Sequence, residues 1–561
     1  MLEVSDSMSE KQWWNEAVIY QIYPRSFKDS NNDGIGDLKG IIQKLDYIES
    51  LGVNTLWINP IVSSNQIDNG YDVIDYKHID SLFGTEEDVD TFFSEVKKRG
   101  LKVIYDLPLN HTSILHPWFK EALKGPDNPY RDYYIWADAA SDGAYPNNWT
   151  AAFGGSAWSK EMNGKQYYLH TFKKEMPDLN WDHEPLRKEM VGILNYLMDK
   201  GVDGFRLDAF IYIDVDKEFP DKEDDQETQD VIEYGGNLKQ YLNELNQALT
   251  DHENEILLIG EATSADAEKI REYTNNSILD GVITLQHFTD DESLKIEELP
   301  QMNQHVPLDF EKFKRIQKEV QESLKDKCGP ILFWNNHDHP RAPQKYGDMD
   351  NYRDETAKMM ATLLYLQKGI PIIYYGEEIG MNNAWFDDPS NISDNSAFSF
   401  YQEAKAFGWS HDKIMKNLNL TVRDASRGIM QWTDEKGSGF TEDAAPWIIS
   451  NQEAIYNVQD QEKSESSILN YYRKLIKLKM TDLFTRGDWK LLDTQDKTYA
   501  YERSFKGTTG RVYCNFSEEE AEVTSDMQFD EDNLVLSTHD ANLNGEKIVL
   551  PAFSAFVFVS E

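Results

Sequence analysis

The sequence predicts an α/β protein built on a (β/α)8 TIM barrel, with a subdomain inserted after the third strand and a C-terminal antiparallel β domain. Three observations support this prediction. Eight short runs rich in β-branched and aromatic residues alternate with amphipathic helical stretches, a rhythm typical of βαβ units. One connection is too long for a single helix and two loops. The C-terminal segment alternates between apolar and polar residues, as antiparallel strands do.

Each candidate barrel strand is a short apolar run, and several of these runs are followed by helix-period stretches that end near glycine or a charge. In such a barrel, catalytic residues lie at the C-terminal ends of the strands. The predicted strands are 17–23, 55–60, 102–106, 204–208, 256–261, 282–286, 331–335 and 370–375, with helical stretches at 85–99, 186–200, 238–249 and 310–325.

The predicted domain boundaries follow from the long connection after the third strand and from the alternating runs near the C-terminus. Residues 1–111 and 183–480 are assigned to the catalytic barrel. Residues 112–182, rich in Trp, Tyr, Asn and Gly, are assigned to the inserted subdomain over the barrel mouth. Residues 481–561 contain the alternating runs TYAYERSF, GRVYCNF and AFVFV and are predicted to form a C-terminal β-sandwich.

The composition restricts the partners and the compartment. With 99 acidic and 56 basic residues, the formal net charge is −43, which repels nucleic acid. Only Cys328 and Cys514 are present, too few for a disulfide framework and typical of a reducing compartment. The N-terminal segment does not resemble a secretory signal, and no apolar stretch of about 18 residues occurs. We therefore expect a cytoplasmic protein, monomeric or homodimeric, without nucleic-acid or membrane partners.

Polar clusters follow four of the apolar runs. A single aspartate at a strand end is usually a helix cap or a turn residue, but four clusters at one barrel mouth are hard to explain in that way. Carboxylates and histidines without enough ligands for a transition-metal cage suit glycoside hydrolysis, which uses two carboxyl groups. The clusters are Asp106, Asn110 and His111; Arg206 and Asp208; Glu261; and Asn336, His337 and Asp338.

These four segments resemble the conserved regions of glycoside hydrolase family 13, the α-amylase superfamily, over a match from about residue 13 to the C-terminus. Further motifs are similar to the oligo-1,6-glucosidase and α-glucosidase branch of that family. They are NGYD at 69–72, FGGSAW at 153–158, MPDLNW at 176–181, GEEIGM at 376–381 and RDASRGIMQW at 423–432. The resemblance implies a TIM-barrel enzyme that cleaves small α-glucosides with retention of configuration and needs no cofactor for catalysis.

The resemblance also implies roles for individual residues. Asp208 would be the nucleophile, and Arg206, on the same face of the strand, would keep it ionised and oriented. Glu261 would be the acid/base, a task that requires a raised pKa. Asp338 would complete the catalytic set by binding sugar hydroxyls, and His111 and His337 would hold the same sugar ring.

The resemblance also implies an exo-acting pocket that is closed at the end that holds the terminal glucose. Tyr71 would offer an aromatic face to the terminal glucose, and Asp72 with Arg423 or Arg427 would hold its outer hydroxyls. Phe153 and Phe172 would line the passage above, although either is also explained as ordinary core of the insert.

A separate run, DSNNDGIGD, spaces oxygen donors as the first part of an EF-hand loop does, but Gly40 occupies the twelfth position instead of Glu. The run resembles the single Ca²⁺ or Mg²⁺ site of this branch, which implies a structural ion. The alternative is an Asp/Asn-rich turn without metal. The implied ligands are Asp29, Asn31, Asp33, the carbonyl of Ile35, and Asp37.

Ala209, directly after the nucleophile, indicates the linkage. In this branch a Val there accompanies α-1,6 preference, so the resemblance favours α-1,4 links and release of glucose from maltose and malto-oligosaccharides. The runs GEATSAD, NHDHPR and RDASRGIMQW depart from the usual pattern of the family, so other activities stay open. These are oligo-1,6-glucosidase, transglucosylation, sucrose isomerase, trehalose 6-phosphate hydrolase and a non-catalytic binding homologue, which would be expected to carry a membrane anchor and lose the triad.

Overall fold

The structure is a computed structural model. It describes residues 12–161, 164–223, 226–250, 255–275, 278–327, 329–448, 450, 455–525 and 529–561. Cys328 lies outside the described residues, whereas Cys514 is buried as a free thiol.

Eight parallel strands form the central sheet, and the prediction of a TIM barrel is confirmed. Their order is β6-β5-β4-β3-β2-β1-β8-β7, and β6 lies beside β7, so that the sheet closes on itself. The strands are β1 (Ile19–Ile22), β2 (Thr55–Ile58), β3 (Lys102–Pro108), β4 (Gly204–Asp208), β5 (Leu257–Glu261), β6 (Gly281–Ile283), β7 (Ile331–Leu332) and β8 (Ile370–Tyr374).

Six strands are shorter than predicted, and β6 and β7 each end three residues early, where polar side chains form other contacts. After β6, the hydroxyl of Thr284 donates to the carbonyl of Ala265 at 2.7 Å. After β7, the carbonyl of Phe333 contacts His287 Nε2 at 2.7 Å, and Asn335 Nδ2 donates to the buried carboxylate of Glu377. The chain therefore leaves the ladder before residue 335.

The barrel strands are buried on both faces, as expected for parallel strands covered by helices. One face packs inside the barrel, where large apolar side chains fill the interior. The interior cluster includes Trp14, Ile19, Trp57, Ile104, Leu257, Ile259, Ile283, Ile331, Phe333, Ile370 and Ile372. The other face joins the larger core beneath the helices.

Helices surround the barrel, and their ends follow local signals. Glu86–Lys98 begins with a capping box between Thr85 and Asp88, and Glu184–Lys200 ends at Gly201, whose φ of 112° favours glycine. The other helices are Pro24–Phe27, Leu38–Gln43, Leu45–Leu51, Pro117–Ala122, Thr228–Ile232, Leu238–Thr250, Ala267–Thr274, Phe310–Ser323, Ala342–Tyr346, Arg353–Tyr365, Asn395–Ala406, His411–Asn419, Val458–Gln461, Ile468–Lys479 and Asp482–Arg486. None of the helices in the described part of the chain has the length and apolar character needed to cross a bilayer.

A small antiparallel sheet lies within the stretch assigned to the insert. A bridge from His111 to Asp178 connects this region to the chain leaving β3, and a bridge from Tyr134 to Leu179 lies within the region. The boundaries 112 and 182 remain predictions. The strands of the sheet are Trp136–Asp138, Trp158–Lys160 and Gln166–Leu169, and a separate hairpin pairs Val62–Ser64 with Val73–Ile79.

The C-terminal region consists of antiparallel strands, as predicted. Two sheets share an apolar cluster that includes Phe529, Ile548, Phe556 and Phe558. The first sheet contains Asp488–Leu491, Thr498–Phe505, Thr508–Asn515, Ala555–Ser560 and Leu534–Ser537, and the second contains Ala521–Thr524, Lys547–Leu550 and Asn542–Asn544.

Candidate active site

Carboxylates from three neighbouring strands meet at one edge of the barrel. Asp106 belongs to β3, Asp208 ends β4 and Glu261 ends β5. Parallel pairing places Asp106 opposite Arg206 and keeps the ends of β4 and β5 side by side. The carboxyl ends of barrel strands are where active sites lie, so the sequence clusters converge as the fold requires.

Arg206 connects these carboxylates. Its Nη1 lies 2.9 Å from Asp106 Oδ1 and 2.5 Å from Asp208 Oδ1, and its Nη2 lies 2.6 Å from Glu261 Oε1. The Arg206 side chain is 2% exposed, while those of Asp208 and Glu261 are 13% and 16% exposed. One buried guanidinium thus holds two carboxylates that are still partly exposed.

Asp106 was expected at the mouth, but the sequence did not reveal what it does. Its Oδ2 accepts hydrogen bonds from Tyr71 Oη at 2.8 Å, Trp57 Nε1 at 3.1 Å and Asn59 Nδ2 at 3.2 Å, while Oδ1 faces Arg206. The Asp106 side chain is fully buried. It therefore anchors Arg206, which in turn orients the two partly exposed carboxylates of Asp208 and Glu261.

The electrostatics of the cluster favour a retained proton. Burial raises the pKa of Asp208 well above its ordinary value; Arg206 opposes this shift, and the negative charges of Glu261 and Asp106 add to it. Three carboxylates around one guanidinium leave excess negative charge in a buried place. The cluster therefore holds a proton at a pH where an isolated aspartate has lost its own.

Asp338 forms a second group on the other side of the mouth. Its carboxylate lies 2.9 Å from His337 Nε2 and 2.9 Å from Arg427 Nη2. Burial opposes ionisation of Asp338. The charges of His337, Arg427 and Arg423 outweigh burial and hold the pKa of Asp338 well below its ordinary value. The Tyr71 ring lies parallel to His337 with centroids 5.4 Å apart. Asp338 thus stays ionised and 36% exposed, suited to accept hydroxyl hydrogen bonds.

The expected role of Asp72 needs correction. Its fully buried carboxylate accepts hydrogen bonds from Ser64 Oγ and from the backbone N–H of residues 65 and 68, and so stabilises its own loop. Asp68 stands beside Arg423 instead, with its Oδ1 2.9 Å from Arg423 Nη2. A useful signal was the position of Asp68, three residues before Tyr71 in the same IDNGYD run.

Next to Asp68 and Arg423 lies a row of contacting aromatic rings, which belong to Phe153, Phe172 and His111. The His111 and Phe172 ring centroids are 5.2 Å apart, and those of Phe153 and Phe172 are 6.2 Å apart. Burial lowers the pKa of His111 to about 4, and its buried Nε2 has no hydrogen-bond partner among the described residues. A neutral imidazole with a free nitrogen suits a sugar hydroxyl.

Ala209 adopts a left-handed backbone conformation directly after Asp208, with φ 49° and ψ 26°. Its N–H lies 3.4 Å from Glu261 Oε2, and the residue is 4% exposed. The backbone of Ala209 therefore lies beside both carboxylates, since it directly follows Asp208 and its N–H contacts Glu261.

The loop proposed to bind an ion is closed by its own hydrogen bonds. Asp29 accepts from the N–H groups of Asn31, Asn32 and Gly34, and Asp37 accepts from those of Ser30 and Gly40. The oxygen-only donor set fits a hard cation. However, no group of three His, Cys, Asp or Glu side chains in the described ranges is placed to hold a metal. Binding of Ca²⁺ or Mg²⁺ here remains a prediction.

Melting tests that prediction. We expect the Tm in excess Ca²⁺ to exceed the Tm in EDTA by a few degrees, because an ion that binds only the folded chain adds about 2.7 kcal/mol at a hundred times its Kd. Asp33, which is exposed, supplies the matched variant: Asp33→Ala should melt alike in both buffers. Identical melting of the wild-type protein in the two buffers would contradict ion binding.

Comparison with known proteins agrees with this geometry. Residues 21–487 match the α-amylase catalytic domain. An oligo-1,6-glucosidase of Halalkalibacterium halodurans is 39% identical over 95% of this chain and 96% of its own. The crystal structure of trehalose-6-phosphate hydrolase from Bacillus licheniformis has a TM-score of 0.90 and 37% identity, with 98% and 99% of the chains covered. Isomaltulose synthase from Klebsiella sp. LX3 has a TM-score of 0.89 and 34% identity, with 98% and 99% covered.

A barrel with carboxylates at its strand ends, together with these similarities, defines a glycoside hydrolase. The chain belongs to the α-amylase family, glycoside hydrolase family 13, and within it to the branch of oligo-1,6-glucosidases and α-glucosidases. It is an α-glucosidase in this broad sense.

Proposed function

We propose that the protein is a retaining, exo-acting α-glucosidase that releases glucose from the non-reducing end of maltose and short malto-oligosaccharides. The observation that carries the proposal is the shared guanidinium: Arg206 bonds to Asp208 at 2.5 Å and to Glu261 at 2.6 Å. Retaining enzymes separate their carboxyl groups by about 5 Å, whereas inverting enzymes leave room for a water. Two carboxylates on one guanidinium fit the closer arrangement.

In the proposed reaction, Asp208 attacks the anomeric carbon while Glu261 donates its proton to the glycosidic oxygen, so the bond to the leaving sugar breaks and a glucosyl ester forms. Glu261, now ionised, takes a proton from water, which attacks the ester and frees Asp208. The first step requires Asp208 ionised and Glu261 protonated, so the proton that the cluster retains has to lie on Glu261, and Arg206 then stabilises the ionised Asp208.

The exo action rests on a closed end of the pocket. Asp68 and Arg423 form an ion pair there, and Phe153 lies under Arg423 with 4.9 Å from ring centroid to Cζ. Lys173 Nζ donates to the carbonyl of Ile67 at 2.7 Å and lies 5.6 Å from the Phe153 ring. These contacts join the insert to two barrel loops and support a pocket that ends after one glucose unit.

The linkage preference is the finer part of the proposal. The small side chain of Ala209 favours α-1,4 links. The second candidate is cleavage of α-1,6 links, favoured by relatives named oligo-1,6-glucosidase and by one named glucan 1,6-alpha-glucosidase from Streptococcus pneumoniae.

Initial rates on maltose, isomaltose, sucrose, trehalose and trehalose 6-phosphate, measured side by side, test the choice. We expect the highest kcat/KM on maltose and the α-anomer of glucose as the first product observed by NMR. A higher kcat/KM on isomaltose would replace the α-1,4 preference with the α-1,6 candidate. The β-anomer as first product would overturn the retaining reaction.

Ala209→Val should raise the ratio of kcat/KM on isomaltose to that on maltose by about tenfold, since methyl-scale changes beside the leaving group alter selectivity by about 1 to 3 kcal/mol. Because a branched side chain is strained at φ 49°, Tm is measured as well. Ala209→Gly is the matched control, which removes the methyl without strain and should not raise the ratio. An unchanged ratio in the Val variant would show that this position does not set the linkage.

A further inference from the structure

The wall formed after β6 and β7 contains an aromatic pair that the proposed reaction does not use. The rings of His339 and Phe288 are stacked, with centroids 4.1 Å apart and an interplanar angle of 13°. His339 directly follows Asp338, and a backbone bridge to Asn336 fixes its turn. Both His339 and Phe288 are partly exposed, and both follow the carboxyl ends of barrel strands, where the mouth lies.

The position of the pair relates it to the leaving group. Residues that close the glucose end, Tyr71, His111 and Arg423, follow β2, β3 and β8. Glu261 ends β5 and must reach the glycosidic oxygen, so the departing sugar lies over β5 and beyond. The barrel order places β6 next to β5, with β7 beside β6. We therefore place the pair formed by His339 and Phe288 on the leaving-group side, next to Asp338, which holds the glucose.

The hydrogen-bonding state of His339 follows from its surroundings. Burial first, and then the positive charge of Lys345, hold the pKa of His339 well below its ordinary value, so the ring is neutral near pH 7. Its Nδ1 is buried and has no hydrogen-bond partner within the described ranges. A proton on Nδ1 would bury an unpaired donor, which costs about 1 to 3 kcal/mol. We therefore assign the proton to Nε2, the other ring nitrogen, which is not among the buried nitrogens without a partner.

We propose that His339, held in place by its stack on Phe288, is a specificity-determining residue that donates its Nε2–H to a hydroxyl of the leaving sugar. The proposal rests on the proposed glucosidase reaction and deepens it by naming what recognises the leaving group. The preferred leaving group is a second sugar with a free hydroxyl towards β7, and a leaving group without hydroxyls gains nothing from His339.

Two variants separate hydrogen bonding from packing. His339→Phe retains an aromatic ring on Phe288 but has no donor, whereas His339→Gln retains an N–H donor. Each is compared with the wild type on maltose, whose leaving group is glucose, and on α-glucosyl fluoride, whose leaving group has no hydroxyl. Melting of all three proteins checks that they are folded.

We expect His339→Phe to lower kcat/KM on maltose by about three- to tenfold, the factor expected for one hydrogen bond between neutral groups, with no change on α-glucosyl fluoride. His339→Gln should recover most of the loss. Equal losses on both substrates, or no loss on maltose, would overturn the role of His339. Failure of the wild type to cleave α-glucosyl fluoride would instead overturn the glucosidase proposal itself, so the two failures are distinguishable.

Discussion

Asp208→Asn should lower kcat/KM on maltose by at least about 10⁴-fold, because a neutral amide cannot attack the anomeric carbon and no other group can form the glucosyl ester. The change preserves the size of the side chain, so Arg206, Asp106 and Glu261 can keep their places. The measurement is steady-state kinetics at substrate concentrations below KM, with circular dichroism to verify the fold.

The opposite end of the same strand offers a matched control. Asp203 lies just before β4, where it bonds to Lys102 Nζ at 2.8 Å and to the N–H of Val103 at 3.0 Å. The N-terminal end of a barrel strand contributes to stability rather than to chemistry. Asp203→Asn should therefore cost some stability and leave kcat/KM essentially unchanged. Wild-type rates in Asp208→Asn, or equal losses in both variants, would contradict the role given to Asp208.

The sequence predicted the strand ends because each polar cluster directly follows an apolar run that a barrel must bury. The eight strands and the positions of Asp208, Glu261 and Asp338 therefore follow from local pattern and parallel topology. The ends of β6 and β7 do not follow from local pattern, because they depend on contacts such as that between Asn335 and Glu377, which lie 42 positions apart.

The proposed closed end of the pocket shows the same limit. The IDNGYD run offers two aspartates, and the spacing does not reveal which one faces the cavity. The choice is made by a contact between Asp68 and Arg423, which lie 355 positions apart, and by the local donors that occupy Asp72. Tertiary contacts of this kind have no periodic signal in the sequence, whereas a strand-end carboxylate does.

Arg206→Met is expected to be the most destabilising change at the site. It replaces the guanidinium by an uncharged side chain and leaves Asp106, Asp208 and Glu261 buried together without a cation. Removing one partner of a buried ionic cluster costs about 3 to 5 kcal/mol, and kcat/KM should fall by about 100-fold or more because the two reacting carboxylates lose their common support.

The pH dependence of Arg206→Met gives a sharper test than the size of the loss. Asp208 has a raised pKa in the folded protein, so its contribution to stability is fully present below the unfolded pKa and is lost as the pH rises through the folded pKa. Without Arg206 the folded pKa rises further, and the penalty grows with pH. The difference in free energy of unfolding between variant and wild type should therefore be larger at pH 8 than at pH 5.

Urea unfolding at the two pH values measures this difference, and Arg473→Met is the control. Arg473 pairs at the surface with Glu462 at 2.6 Å, and such pairs contribute about 0 to 1 kcal/mol. Its loss should be small and nearly independent of pH. A penalty for Arg206→Met that is equal at pH 5 and pH 8, or no larger than that of Arg473→Met, would mean that the three carboxylates do not depend on one shared cation. Asp208 and Glu261 would then lack the common support that the proposed covalent reaction requires.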